Sequence, residues 1–223
     1  MKPLLIARPE PGNAATAQAA RSLGLTVIAS PLLDCQEVEW NYDKSISYDA
    51  LFITSANALR YAGDQLTTLR AWPVLAVGPA SAEAARAAGF DSVIIGNSDG
   101  AGLAARAVQE GMTRVLHLAG DPHKPVAHPG LIIDVRIVYR TQALPPDPAL
   151  ITALQGPCVV LAHSPRLARA LAALTPARDQ IDLVAISAQT AEAAGTGWRS
   201  VSWPSHPDAD AMLAQAAPLC RAA

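Results

Sequence analysis

Residues 48–85 read YDALFITSANALRYAGDQLTTLRAWPVLAVGPASAEAA, and residues 157–194 repeat the pattern as PCVVLAHSPRLARALAALTPARDQIDLVAISAQTAEAA. In each copy an apolar run ends at a hydroxyl residue that opens a helical stretch. A second apolar run then ends in a small-residue turn followed by Ser-Ala or Thr-Ala. The matched hydroxyl residues are 26 positions apart within each copy and are offset by 109 between copies: Ser55 with Ser81, and Ser164 with Thr190. An offset of about half the 223-residue chain indicates duplication of one unit.

Each copy contains two transitions from a strand to a helix. The short runs LFIT, VLAV, VVLA and LVAIS are rich in Val, Ile and Leu, as is typical of parallel strands that are buried on both faces. Helical runs lie between them. The pattern therefore predicts an α/β fold with parallel sheets.

The four matched hydroxyl residues fall where helices are expected to start. Capping of backbone N–H groups is the simplest role for any one of them. Four hydroxyl residues at matched places also suggest binding, because ligands of open α/β sheets lie beyond the carboxyl ends of the strands, where helix N-termini attract anions. Two such halves facing each other would make a cleft suited to an anion.

Composition excludes several classes of protein. A formal net charge of −2, without a basic run, argues against binding to nucleic acid or to an anionic membrane surface. No segment approaches the roughly 20 apolar residues of a membrane span, and the start MKPLLIARP reads as a first strand and not as a signal peptide. The three widely spaced cysteines, Cys35, Cys158 and Cys220, fit reduced thiols of a cytosolic protein.

The chain around the repeats supplies further elements. Residues 3–29 read as a βαβ unit, with strands at Pro3–Ala7 and Leu25–Ala29. Two extended connectors, Pro31–Tyr42 and Asp134–Gln142, are expected to pair as a ribbon that joins two lobes.

The segment AGDPHKPVAHPG at 119–130 contains three prolines, which predict a loop or at most one turn. Its two histidines, five residues apart, are not spaced as a helical ligand pair, so no metal site is expected.

These fragments in order resemble one family. The ARP that closes the first strand, YDALFITSANAL, VGPASAEAARAAGF, VYRT, LAHSPRLARAL and AISAQTAEAAGTGW are similar to uroporphyrinogen-III synthase, the enzyme that closes a linear tetrapyrrole in haem biosynthesis. The resemblance spans nearly the whole chain. It departs from the family pattern at Ser81, where Thr is usual, and at 119–130, where a helix is usual.

The resemblance implies a fold and a division into domains. Two flavodoxin-like α/β lobes with parallel sheets would be joined by a two-stranded β ribbon. Residues 1–34 with 144–223 would form one lobe and 45–133 the other, with 35–44 and 134–143 as the connecting ribbon.

The resemblance also implies an activity. Hydroxymethylbilane would be cyclised to uroporphyrinogen III with loss of water and inversion of ring D, without a cofactor or a metal. The enzyme is expected to be a cytoplasmic monomer that takes a small-molecule linear tetrapyrrole, with transient handover from the preceding bilane synthase. Tyr139 would be the acid for the departing hydroxyl, and the positions that would bind substrate are Thr54, Ser55, Ser81, Ser164 and Thr190. Arg8 is added to the substrate-binding residues because it lies at the end of the first strand, where it could pair with a carboxylate.

Two other readings remain open from the residues. A non-catalytic two-lobed module that binds anions or tetrapyrroles, such as a sensor, would use the same donors at helix starts. The chain has no paired carboxylates, no Cys-His pair and no obvious general base, as such a module would not need them. A flavodoxin-like or nucleotide-binding protein ranks last, because neither G-x-G-x-x-G nor a P-loop follows any strand.

Overall fold

The structure, a computed structural model, describes residues 1–96 and 99–222. The chain folds as two compact units. Unit 1 comprises Met1–Asp34 and the chain from Gln142 onward, and unit 2 comprises Cys35–Thr141. Within the described residues no helix is long and apolar enough to cross a membrane.

Strands and helices alternate along most of the described chain. The strands are β1 (Leu4–Ile6), β2 (Val27–Ala29), β3 (Leu33–Glu37), β4 (Ala50–Ile53), β5 (Val74–Ala76), β6 (Val93–Ile95), β7 (Arg114–Asp121), β8 (Ile132–Ala143), β9 (Cys158–Ala162), β10 (Ile181–Ala185) and β11 (Ser200–Ser202). The helices are α1 (Gly12–Ser22), α2 (Ala56–Arg60), a 3₁₀ helix (Asp64–Leu69), α3 (Pro79–Ala87), α4 (Gly100–Gln109), α5 (Pro148–Ala153), α6 (Pro165–Leu174), α7 (Ala188–Ala194) and α8 (Ala209–Arg221).

Unit 1 contains a five-stranded parallel sheet in the order β11-β10-β9-β1-β2. Both faces are covered. On one face Leu4 and Ile6 pack in a cluster with residues of α1 and α8, and on the other Leu5 packs in a cluster with residues of α5 and α6. The uninterrupted apolar run of β1 predicts a strand that is buried on both faces, and β1 is buried in this way.

Unit 2 contains the sheet order β3-β8-β7-β4-β5-β6, and the five strands from β8 to β6 pair in parallel. Residues of α2 and α3 pack with Leu51 and Ile53 on one face, and residues of α4 pack with Phe52 on the other. The predicted α/β class with parallel sheets is thus confirmed.

The two units share one strand order. The repeated stretches supply β4 and β5 to unit 2 and β9 and β10 to unit 1, and each is followed by one more strand, β6 or β11. The remaining strands then correspond as β7 to β1 and β8 to β2, although β1 precedes its repeat in the chain and β7 follows. This shared order supports duplication of one unit. In unit 1 the pair β1 and β2 precedes the repeated stretch, whereas in unit 2 the equivalent pair, β7 and β8, follows it.

The link between β7 and β8 differs from its counterpart. β1 and β2 are connected through helix α1, whereas residues 122–127 form neither helix nor strand. The predicted loop is therefore confirmed, although β7 extends through Asp121 and takes the first three residues of the segment expected to be a loop.

The two extended connectors pair as adjacent strands. The Val38 N–H donates to the Val138 carbonyl at 3.0 Å, and the Leu144 N–H donates to the Leu32 carbonyl at 2.9 Å. Because one residue number rises as the other falls, β3 and β8 run antiparallel. β3 ends at Glu37, whereas the predicted connector continued to Tyr42. The boundaries between the two units, after Asp34 and after Thr141, fall inside this pair of strands.

The three cysteines are buried and free, as the sequence predicts. Burial raises the pKa of the Cys158 thiol to about 12 and that of Cys220 to about 11. Both thiols therefore stay protonated at neutral pH and behave as core side chains.

A buried carboxylate joins three parts of unit 1 at the amino ends of its strands. Asp182 on β10 is 1% exposed, and its Oδ2 lies 3.2 Å from the Nζ of Lys2, which is also buried. The Ser200 hydroxyl donates to Oδ1 at 2.6 Å, and Arg199 Nε is 3.4 Å from the same oxygen. The ion pair therefore ties the N-terminal segment to β10 and β11.

Replacing Lys2 by Met should destabilise the protein by about 3 kcal/mol, because removal of one partner leaves a buried charge uncompensated. Urea titration would measure this loss in the free energy of unfolding. The matched control is Arg199→Met, which should cost less than about 1 kcal/mol because Arg199 is largely exposed. Equal losses for the two variants would contradict the assigned role of Lys2.

Candidate functional site

In each unit the strand order reverses direction between two neighbouring strands. In unit 2 this switch point lies between β4 and β7, where Ile53 is in register with Leu118. In unit 1 it lies between β1 and β9, where Ile6 is in register with Leu161. Ligands of open α/β sheets bind beyond the carboxyl ends of the strands at such points, so the residues that follow these strands are the candidates.

Ser55 follows β4 and caps α2, as predicted. Its backbone is extended, and its Oγ accepts the Asn57 N–H at 3.2 Å. The same oxygen accepts a hydrogen bond from the Tyr139 hydroxyl at 3.3 Å. Because both lone pairs of Oγ are then engaged, the Ser55 hydroxyl proton can serve as a donor to another group.

Tyr139 on β8 is held beside Ser55 by close packing. A bulge between Ala119 and Gly120 places Gly120 opposite Tyr139, where an added Cβ would lie 2.3 Å from the Tyr139 Cζ atom. The Tyr139 ring stacks on Tyr61 with centroids 5.8 Å apart. The side chain is 9% exposed, and burial raises the pKa of its phenol above the usual value. The hydroxyl is therefore protonated at neutral pH, and in the structure it donates its one proton to the Ser55 Oγ.

Thr54 also follows β4, and its partner is a histidine that the sequence analysis did not single out. The Thr54 Oγ1 lies 3.1 Å from Nε2 of His117 on β7. Burial, assisted by the nearby His123, lowers the pKa of His117 to about 4, so the imidazole is neutral at physiological pH. A polar residue inside the apolar run VLHLA was the signal that could have identified it.

Ser81 does not cap its helix, which corrects the prediction. α3 begins at Pro79, and Gly78 is the N-cap. Proline favours the first helical position because its fixed φ suits the helix and it has no N–H to satisfy. Ser81 is thereby placed in the first turn, and its side chain is buried.

Thr190 in unit 1 departs from the prediction in the same way. α7 begins at Ala188, and its N-cap is Ser187, whose Oγ accepts the Thr190 N–H at 3.4 Å. The Oγ of Ser187 also lies 3.2 Å from the Thr190 Oγ1. Thr190 is therefore a buried residue of the first turn. Ser187 was missed, although it stands 109 residues after Gly78, the matching cap of the other copy.

Ser164 caps α6, as predicted. Its backbone is extended, and its Oγ accepts the Leu167 N–H at 3.2 Å. Pro165 occupies the first helical position. The hydroxyl therefore lies at the carboxyl end of β9, beside the switch point of unit 1.

Arg8 follows β1 at the same switch point. Its Nη1 donates to the Thr16 Oγ1 at 3.4 Å, and its guanidinium lies against Gly12, where a Cβ would be 2.6 Å from the Arg8 Cζ atom. His163 follows the adjacent strand β9. Burial of its imidazole, together with repulsion by the Arg8 charge, lowers the pKa of His163 to about 3. Because the imidazole is neutral at physiological pH, Arg8 and not His163 carries a permanent positive charge here.

The predicted residues consequently form one group in each unit. Unit 2 brings Tyr139 into contact with Ser55 and places Thr54 next to them, and Ser81 follows the adjacent strand β5. Unit 1 places Arg8, Ser164 and Thr190 after the three adjacent strands β1, β9 and β10. No group of three or more His, Cys, Asp or Glu side chains suited to a metal ion occurs in the described parts of the chain.

Comparison with known proteins relates this arrangement to one family. Residues 14–214 match the family described as Uroporphyrinogen-III synthase HemD. No curated protein sequence matches the chain.

Two solved structures have the same fold. Uroporphyrinogen-III synthetase from Helicobacter pylori is 16% identical, with 98% of this chain and all of that chain covered and a TM-score of 0.67. A mutant uroporphyrinogen III synthase from the extremely thermophilic bacterium Thermus thermophilus is 17% identical, with 99% of this chain and 98% of that chain covered and a TM-score of 0.54. At such identities the likeness concerns the fold, and it agrees with the predicted class.

Replacing Gly120 by Ala should displace the Tyr139 ring from Ser55 and cost about 1–3 kcal/mol of stability, as overpacking does. Spectrophotometric titration should then find one phenol with a pKa lowered toward that of free tyrosine, because the displaced ring gains solvent. Gly156→Ala is the matched control, since nothing lies within 4 Å of its added Cβ. An unshifted Tyr139 titration in a destabilised Gly120→Ala variant would contradict the assigned packing.

Proposed function

The chain belongs to the uroporphyrinogen-III synthase HemD family, and we propose that it performs the reaction of that family with the hydroxyl groups and Arg8 at its strand ends. The family is one of cyclising lyases in haem and other tetrapyrrole biosynthesis. Their reaction closes linear hydroxymethylbilane to uroporphyrinogen III with loss of water and inversion of ring D. The match over residues 14–214 is the observation that carries this assignment.

The chemistry asks the protein mainly for orientation. Loss of water from hydroxymethylbilane leaves an electrophilic azafulvene, which can attack ring D at its free or at its substituted position. Closure at the free position, the unhindered route, produces the type I isomer. The type III isomer requires attack at the substituted carbon, a spiro-pyrrolenine, fragmentation and reclosure. A site that holds the substrate in one conformation therefore selects the product.

The substrate carries eight acetate and propionate carboxylates, and the proposed donors suit them. Ser55 and Thr54 offer hydroxyl groups in unit 2, and Ser164 offers one in unit 1. Arg8 adds a permanent charge. Each helix start contributes roughly 0.3–1 kcal/mol per carboxylate. With a formal net charge of −2, the chain as a whole does not attract a polyanion, so the attraction is local.

Ser81 and Thr190 are proposed to act from the first turns of α3 and α7. Both are buried third residues of their helices, and both stand at matched positions of the repeat. A substrate carboxylate would reach their hydroxyl groups at the N-terminal end of each helix, although neither residue is the N-cap. Their assignment to substrate binding rests on this matched placement and on the resemblance to the family.

Tyr139 is the proposed acid. A phenol that is protonated at neutral pH can donate a hydrogen bond or a proton to the departing hydroxide. Its hydrogen, which donates to the Ser55 Oγ in the structure, would turn to the leaving group when the substrate is bound. Ser55 fixes the position of the phenol oxygen, and Tyr61 and Gly120 fix the ring. This rigidity favours a chemical role, because a proton donor must meet a defined leaving group.

Several broader features are proposed with this function. Residues 1–34 with 144–223 and residues 45–133 would act as the two lobes, with 35–44 and 134–143 as the connecting ribbon. The free cysteines favour a reducing compartment such as the cytoplasm. A monomeric state and transient handover from the preceding bilane synthase rest on the family resemblance alone.

The purified protein, supplied with freshly made hydroxymethylbilane, should produce an excess of type III over type I uroporphyrinogen. Oxidation of the product and chromatographic separation of the isomers measure this ratio against a control without protein. Only the type I isomer, with folded protein, would overturn the proposal. Binding without turnover would favour the alternative of a non-catalytic anion- or tetrapyrrole-binding module.

Replacing Tyr139 by Phe should lower kcat about 100-fold, the lower end of the contribution of a general acid, while leaving the fold intact. The matched control is Tyr42→Phe, a second tyrosine of unit 2 that lies in the aromatic cluster with Trp40 and Trp72. Steady-state kinetics and thermal unfolding of both variants provide the test. A Tyr139→Phe enzyme with unchanged kcat would remove Tyr139 as the acid.

A further inference from the structure

His117 is a polar residue at a place where the fold accepts an apolar one. It lies in β7 between Leu116 and Leu118, is 1% exposed, and is in register with Phe52 of β4. In the repeat, Phe52 corresponds to Leu161, whose partner in register is Ile6 of β1. The duplicate unit therefore fills the equivalent position with a fully buried isoleucine. Packing of the sheet does not explain the imidazole.

The ring of His117 is held in one orientation. Phe52 contacts it edge to face with centroids 5.2 Å apart, and the His123 ring lies 5.9 Å away at a similar angle. Its Nε2 reaches the Thr54 Oγ1 at 3.1 Å, whereas its Nδ1 is buried without a hydrogen-bond partner among the described residues. Among the residues that the structure describes, the ring thus makes one hydrogen bond, which is the bond to Thr54.

The neutral ring carries one proton, and its location decides what Thr54 can do. With the proton on Nδ1, a buried N–H would lack an acceptor, which is rare in folded proteins. With the proton on Nε2, the N–H donates to the Thr54 oxygen. The threonine proton is then not used by His117 and is free for an acceptor outside the protein.

We propose that His117 is a positioning residue that donates from Nε2 to the Thr54 oxygen and so makes the Thr54 hydroxyl a dedicated donor to a substrate carboxylate. The proposal rests on the proposed function, since it takes Thr54 to contact the substrate. It adds a residue that supports binding from inside the core. A hydroxyl committed as a donor prefers a carboxylate to a neutral or cationic group, because hydrogen bonds to charged acceptors are about twice as strong.

The protonation state of the ring can be measured without substrate. In the folded protein labelled with ¹⁵N-histidine, the nitrogen shifts and long-range couplings of His117 should identify a neutral ring with its proton on Nε2. A His117→Gln variant identifies the signal by its loss. A proton on Nδ1, or a charged ring at neutral pH, would overturn the proposal whether or not the protein is an active synthase.

Kinetics should then separate positioning from a structural role. His117→Ile, which copies the residue of the duplicate unit, should raise KM roughly tenfold with kcat little changed, as loss of one hydrogen bond to a charged group predicts. Thr54→Val should raise KM at least as much, and the double variant should be no worse than Thr54→Val. His117→Gln should restore much of the affinity, because its amide N–H can reach the position of Nε2.

The same series distinguishes the two ways of failing. A wild-type protein that makes no type III isomer would contradict the proposed function, and the ring measurement would still decide the His117 to Thr54 bond. An active wild type with unchanged KM in His117→Ile would overturn the positioning role. The positioning role would also be overturned if His117→Ile raised KM tenfold in the Thr54→Val variant as well, because the effect of His117 would then not depend on Thr54.

Discussion

Burial of the parallel strands on both faces is the constraint on which the remaining structure depends. Helices cover each sheet from both sides, and the central strands β1, β4, β9 and β10 consist almost entirely of buried residues. A polar side chain inside such a strand costs free energy unless it finds a partner. Polar groups can therefore gather at low cost only where strands end, and most of those discussed above lie there.

The two ends of the unit 1 sheet serve different purposes. At the amino ends, Asp182 is neutralised by Lys2 and saturated by Ser200, so it has little capacity left for a ligand. At the carboxyl ends, the Ser164 Oγ accepts the Leu167 N–H, which does not use the hydroxyl proton of Ser164. The first arrangement stabilises the unit, and the second is the one proposed to meet an anion.

The two units differ in the residues that occupy equivalent positions near the ends of their strands. Gly78 and Ser187 are equivalent caps, yet only the serine uses a side chain to satisfy the helix. Ser81 and Thr190 keep a hydroxyl in the first turn of both helices. His117 and Ile6 differ in chemistry at equivalent positions of the sheet. These replacements change the hydrogen bonding near the strand ends, while the strands of both copies keep their apolar character.

The sequence by itself determined the α/β class, the parallel strands and the duplication, because apolar runs and matched spacings can be identified directly along the chain. Its ordered motifs indicated the family by resemblance. It also identified Ser55 and Ser164 as caps. It misplaced Ser81 and Thr190 by a few residues, since the start of a helix depends on backbone angles at Gly78 and Ser187 that spacing does not reveal.

Only the tertiary structure decided which distant residues meet. The contact of Tyr139 with Ser55 joins residues 84 positions apart, and that of His117 with Thr54 joins residues 63 apart. The Tyr139 contact requires the bulge in β7 beside Gly120, and both require the register of neighbouring strands. Register is set by the packing of whole sheets, so no local pattern around Tyr139 or His117 could specify these partners.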